Sequence, residues 1–259
     1  MNAALAKQLV QPADTKLVVY VFDGLGGLPN ARGRTELEDA DTKHLDRMAE
    51  QGSLGQMLPV AHGVTPGPAT AFLALLGYDP LDGEIDEGSA LEPFGERWDV
   101  KAAVVTASEM HAALAVRAGV PVIEAARDAQ ALVDAMSDRW DEYEAFFVHC
   151  VALLPDEPLT RYAAKRQAIA DFDGAVPTIV RLRPEVLIVT GDRSAPALEG
   201  GVTTWHPVPL LINGLRTLPD ESHYFSELGG ARGVLGTIRA CDVLPLALAH
   251  AGRLGSYGL

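Results

Sequence analysis

A chain of 259 residues with 48% hydrophobic and 22% charged residues has the balance of a folded globular protein and the length for one sizeable core, which excludes a disordered chain. Acidic residues outnumber basic ones by 35 to 21, giving a formal charge of -14 with no Lys/Arg-rich stretch, so neither nucleic acid nor an anionic membrane surface is an expected partner. The excess acidity reads as a solubility device or as local attraction for cations.

The opening segment MNAALAKQLVQPADTK carries no long apolar run after Lys7, and no later segment offers about 18 uninterrupted apolar residues. Cys150 and Cys241 lie far apart in apolar surroundings, which suggests neither a disulfide framework nor a zinc knuckle. A soluble, cytoplasmic protein is the expectation.

In chain order, KLVVYVFDG (16–24) is a short β-branched run that ends on Asp23 and predicts a buried strand. TELEDADTKHLDRMAEQG (35–52) sets Leu37, Leu45 and Met48 at helical spacing, with acids early and a glycine stop. GVTPGPATAFLALLGYDP (63–80) predicts a helix with Pro68 at its start, and YDPLDGEIDEGSALEPFGERWD (78–99) reads as loop. KAAVVTAS (101–108), AFFVHCVA (145–152), EVLIVTGD (185–192) and VPLLING (208–214) are further strands. DAQALVDAMSDRW (128–140) and 159–182 predict helices, the second bent or ended before Pro177. This alternation predicts a three-layer α/β fold, a mostly parallel central sheet flanked by helices, and no repeat or linker divides residues 1–259 into more than one domain.

Ligands of open parallel sheets collect beyond the carboxyl ends of the strands. Asp23 and Asp192 stand there, and His206 follows in TTWHPVPLL, so the three make an oxygen-and-nitrogen set for a divalent cation. Each also has a plainer reading: Asp23 and Asp192 as turn aspartates, His206 as a loop histidine. His149, inside a strand, reads as a satisfied core histidine.

The collinear series VFDGLGG, TPGPATAFLALLGYDP, GSALEPFG, FFVHC, KRQAIADFD, VTGDRSAPA, HPVPLLING and FSELGGARGVLGTIRACDVLPLAL resembles the cofactor-independent phosphoglycerate mutases of the archaeal type. These belong to the alkaline phosphatase superfamily. The resemblance covers nearly the whole chain and implies an alkaline-phosphatase-like core, two divalent metals and a serine that is transiently phosphorylated. Asp23, Asp192 and His206 match three of the family's metal ligands.

Four other positions depart from the pattern. The family's nucleophile stands in Thr-Pro-Gly-Ser-Asp-Thr-Ala-His, where this chain reads Thr65-Pro66-Gly67-Pro68-Ala69-Thr70-Ala71-Phe72, so Pro68 replaces the serine. The family's Asp-His becomes Asp192-Arg193, and its Asp and His ligands after the VHC segment become Leu154 and Pro158, unless a local shift brings Asp156 into play. Arg193 would then neutralise Asp23 and Asp192 in place of a metal, or else stand solvated in a loop. Thr65 and Thr70 flank Pro68 and offer hydroxyls, though they also suit turn and capping roles.

The family also inserts a domain between the GYDP region and the strand matching KAAVV, whereas here Pro80 to Val100 is about twenty residues. That domain closes over the site and keeps transfer from becoming hydrolysis. The expectation is therefore a truncated, degenerate relative without phosphoryl transfer or cofactor, which binds or scaffolds a protein partner or a small phosphorylated metabolite held by Arg193. The alternative is a metal-dependent phosphatase, hydrolase or phosphomutase-like metalloenzyme with a reduced site: one Mn, Zn or Mg ion at Asp23, Asp192 and His206.

Overall fold

All five apolar runs pair into one sheet in a computed structural model that describes residues 1–85 and 90–258. Three strands that periodicity does not reveal join them. In chain order the strands are β1 (Leu17–Phe22), β2 (Ser53–Leu58), β3 (Ala102–Thr106), β4 (Val122–Glu124), β5 (Ala145–Cys150), β6 (Val186–Gly191), β7 (Val208–Gly214) and β8 (Thr237–Arg239). Their spatial order is β4-β3-β5-β1-β6-β7-β2-β8.

The sheet is mixed but mostly parallel. β1 runs parallel to both β5 and β6, and β3 to both β4 and β5. β7 is antiparallel to β6 and β2, because the segment joining β6 to β7 holds no crossover helix to carry the chain back across the sheet. His206, just ahead of β7, thereby comes to the same edge as Asp192, just after β6. Every residue of β1, β5 and β6 is buried, as strands covered on both faces require.

Helices cover those faces. The stretch 35–52 is two helices rather than one: Thr35 caps Glu36–Asp39 with a reciprocal Glu38 capping box, and Lys43–Ala49 follows after a break. Residues 158–182 form one continuous helix that runs through Pro177 instead of ending before it. Proline there removes one N–H bond to residue 173, and the burial of Phe172, Ala175, Val176 and Ile179 against the sheet outweighs that loss. No helix among the described residues is long and apolar enough to cross a membrane. Of the acidic loop 78–99, residues 86–89 lie outside the described residues, and the remainder includes the short helix Phe94–Trp98.

Candidate metal centre

Four neighbouring strands each bring one metal-binding side chain to the carboxyl edge. Asp23 follows β1, His149 is the fifth residue of β5, Asp192 follows β6, and His111 lies on the helix Glu109–Arg117 that follows β3. Each offers a ligand atom, and the four atoms lie within 4.8 Å of one another. The register places His149 opposite Val21 and Thr106, and its ring packs against Phe72 of the helix Pro68–Leu75. Phe72 of that helix packs edge-on to both imidazoles, with centroids 5.0 Å from His111 and 5.4 Å from His149.

The loops bearing the aspartates are held tightly. Gly24 N–H donates to Asp192 Oδ1 at 2.8 Å, and Gly24 adopts φ +68° with no room for a Cβ against Ala195. Lys165 is buried beneath both loops and donates to the carbonyls of Gly26 at 3.0 Å and Ala195 at 2.9 Å. Glu227 accepts from Gly27 N–H at 3.0 Å, and Glu36 accepts from Ala197 N–H at 2.5 Å. The carboxylates are thus presented by a backbone with little freedom to move.

Electrostatically the group is unbalanced. Arg193 Nη1 donates to both Asp23 Oδ1 and Asp192 Oδ2. Burial and the adjacent Asp192 carboxylate push Asp23 up to about 6 against the pull of Arg193. Burial would raise Asp192 as well, but His149 and Arg193, with the Gly24 N–H, hold it well below the usual carboxylate range. Burial, then the neighbouring His149, pushes His111 down to about 3, so its imidazole is neutral at physiological pH.

The histidines supply the test of fit. Both ring nitrogens of His149 and Nε2 of His111 are buried without a hydrogen-bond partner, and His149 Nε2 stands 3.7 Å from Asp192 Oδ2, beyond hydrogen-bond length. Imidazole nitrogens without hydrogen-bond partners beside two carboxylates form a two-nitrogen, two-oxygen donor set suited to zinc or manganese. A tetrahedral ion with bonds of about 2.1 Å needs donors about 3.4 Å apart; here the four ligand atoms lie within 4.8 Å of one another. The residues therefore fit a divalent ion, in competition with Arg193 for the same oxygens.

This set differs from the one the sequence suggested. Asp23, Asp192 and Arg193 converge, and His206 is not part of the four-residue group: its Nδ1 lies 3.1 Å from Thr204 Oγ1 and its ring stacks on Trp205. His149, read from sequence as a satisfied core histidine, is buried and unsatisfied. Asp156 is fully exposed and paired with Arg161, while Leu154 is half-buried. Pro68 is the first residue of its helix, with Thr65 exposed before it and Thr70 half-buried in the first turn. His111 escaped the sequence reading altogether. Its one available signal was the pattern Ser108-x-x-His111 directly after a strand, where a capping serine starts a helix at the ligand edge.

The sequence model of the Metalloenzyme superfamily matches residues 15–250. The chain belongs to that superfamily. Among its relatives is a probable 2,3-bisphosphoglycerate-independent phosphoglycerate mutase of Thermosipho africanus, 27% identical in an alignment covering 97% of this chain and 98% of the relative. That alignment extends over 393 positions against 259 residues here, so the relative carries well over a hundred positions with no counterpart in this chain. The PH0037 protein from Pyrococcus horikoshii superposes with a TM-score of 0.85 at 23% identity, over 96% of this chain and 100% of that one. Alkaline phosphatase from the Antarctic bacterium TAB5 superposes at 0.55 with 12% identity, over 92% and 98% of the two chains. The superfamily's α/β core is thus the fold of this protein, and its relation to the phosphoglycerate mutases is distant.

Proposed function

We propose that this protein is a divalent-cation-dependent hydrolase of the Metalloenzyme superfamily that acts on phosphate esters through one reduced metal site. The carrying observation is the group of Asp23, His111, His149 and Asp192, whose ligand atoms lie within 4.8 Å of one another with three imidazole nitrogens buried and unpartnered. A divalent ion there would supply Lewis-acid polarisation of an ester oxygen and a more acidic water. Pro68 offers no hydroxyl, so a covalent phosphoenzyme on that residue is excluded and water is the acceptor of this reading.

The chain's own residues divide the remaining work. Asp23 and Asp192 contribute negative charge at fixed positions, and the imidazole nitrogens of His111 and His149 contribute lone pairs. Phe72 closes one side against solvent. Arg193, once displaced from the carboxylates, presents a planar fork of donors suited to the oxygens of a phosphate group. The reading includes a single α/β unit that lacks the inserted domain of the mutases, a feature that favours hydrolysis because transfer depends on closure against water. The missing positions in the mutase alignment support it.

Mass-spectrometric metal content after purification without chelator, followed by titration with manganese and zinc, tests the proposal. Stoichiometric binding, lost in Asp192→Asn, together with cation-dependent release of phosphate from a panel of phosphate monoesters is the expected result. A second reading has its own supporting observation, since Arg193 already bridges both carboxylates. In that reading the chain is a degenerate relative that binds a phosphorylated metabolite or a protein partner without turnover. Absence of cation binding, with a phosphorylated ligand bound in a manner dependent on Arg193, would select it.

A further inference from the structure

His111 reaches the metal centre from a helix whose start it shares with Ser108. Ser108 is the N-cap of Glu109–Arg117: its Oγ accepts the backbone N–H of His111 at 3.5 Å, and the same Oγ lies 2.8 Å from Nδ1 of the His111 ring. Ser108 is anchored in turn. Its N–H donates to Thr106 Oγ1 at 3.1 Å, and Thr106 Oγ1 donates to the carbonyl of His149 at 3.3 Å. A short chain of bonds therefore ties the two histidines through the ends of β3 and β5.

We propose that Ser108 is a positioning residue for His111: its hydroxyl oxygen accepts the Nδ1–H and fixes the tautomer whose Nε2 lone pair faces Asp23, His149 and Asp192. A serine oxygen has two lone pairs and one hydrogen. The capping geometry directs the lone pairs at the helix start, toward His111 N–H and Nδ1–H, and leaves the hydrogen of half-buried Ser108 free to turn toward solvent. The opposite arrangement, with the hydroxyl donating to Nδ1, would place a proton on Nε2. That atom is buried and, where it stands, makes no hydrogen bond. Histidines that bind metals through one nitrogen characteristically donate the other N–H to an oxygen, which sets the tautomer and raises ligand basicity. The functional weight of this inference rests on the metal reading above, whereas the tautomer is a property of the protein alone.

The experiment uses protein labelled with ¹⁵N-histidine, whose long-range ¹H–¹⁵N spectra report the His111 tautomer without cation and with zinc, alongside calorimetric zinc titration. Wild type, Ser108→Ala, Ser108→Gly and Ser108→Thr are compared, with circular dichroism to confirm folding. Wild type is expected to carry Nδ1–H in both states. The Ala and Gly variants are expected to lose that preference and to bind zinc about 10- to 100-fold more weakly, and Thr to restore both properties. Glycine caps helices nearly as well as serine while alanine does not, so equal weakening in the two separates the ring contact from helix capping. Weakening in Ala alone, or Nε2–H in cation-free wild type, would overturn the proposal. Equal zinc affinity in all four proteins would also sink it while leaving the metal reading intact. An Nδ1–H tautomer that depends on Ser108 in a protein taking up no zinc would uphold Ser108's hold on the ring and remove the metal reading.

Discussion

Two halves of one sheet edge invite comparison. The half formed by β3, β5, β1 and β6 gathers two carboxylates and two imidazoles in a buried group with unpartnered nitrogens. The segments after β5 and before β7 carry instead Leu154 and Pro158, with Leu153 and Asp156 exposed beside them in the chain, and His206 stacked on Trp205. Orphaned buried polar groups cost stability unless a ligand satisfies them, whereas half-buried His206 already has Thr204 and Trp205 as partners. The first half therefore carries a candidate site for a divalent ion, and among the described residues no such group forms in the second.

Asp192 offers the strongest way to break this contrast. Replacing it with asparagine removes a ligand charge and leaves Arg193 buried beside a lone Asp23. Cation binding is expected to vanish in calorimetry, and thermal unfolding should report a loss of about 3–5 kcal/mol, the usual cost of breaking a buried ion pair. The next test contrasts the two halves directly. His149→Ala is expected to weaken zinc binding at least tenfold, and His206→Ala to leave it within twofold. Equal effects from the two would place the ion across both halves.

How much of this was legible in the sequence follows from what each pattern encodes. The five long strands were readable because strands buried on both faces need uninterrupted apolar runs, as in LVVYVF of β1 and VLIVTG of β6. β4 and β8 have three residues each, too few for any periodicity, and β2 contains Gly55 and Gln56, which dilute its pattern. The continuous helix through Pro177 was hidden because proline's local cost is visible in sequence and the compensating burial is not. In the site, Asp23 and Asp192 stood out at strand ends. His149 looked like core because it is core by burial, and only tertiary placement beside His111 exposes its lack of partners. Family likeness points to His206, and the donors grouped with Asp23 and Asp192 come from β5 and from the helix after β3.

Arg193 sharpens the comparison from the other side. Its guanidinium and a divalent ion seek the same carboxylate oxygens, so Arg193→Met should raise zinc affinity about tenfold, roughly 1.4 kcal/mol of competition removed. Without cation the same variant should melt at a lower temperature, because Asp23 and Asp192 then face each other uncompensated. An unchanged affinity would mean that the arginine leaves the site freely.

Protons should compete in the same place, with the smallest effect. Asp23 binds its proton up to about pH 6, well above its ordinary value, because burial and Asp192 disfavour its charge. Cation binding needs the ionised form, so affinity should be near its plateau at pH 7 and fall about fourfold by pH 5.5 as Asp23 takes up a proton. The stability of the cation-free protein runs the opposite way. A raised carboxyl pKa means that the folded state holds a proton the unfolded state has already lost, so this group's contribution is full below about pH 4 and declines as pH rises through 6. Asp23→Asn should flatten that decline, and the two opposed slopes, one in affinity and one in melting temperature, would locate a single titrating carboxyl in the half of the edge that keeps its donors.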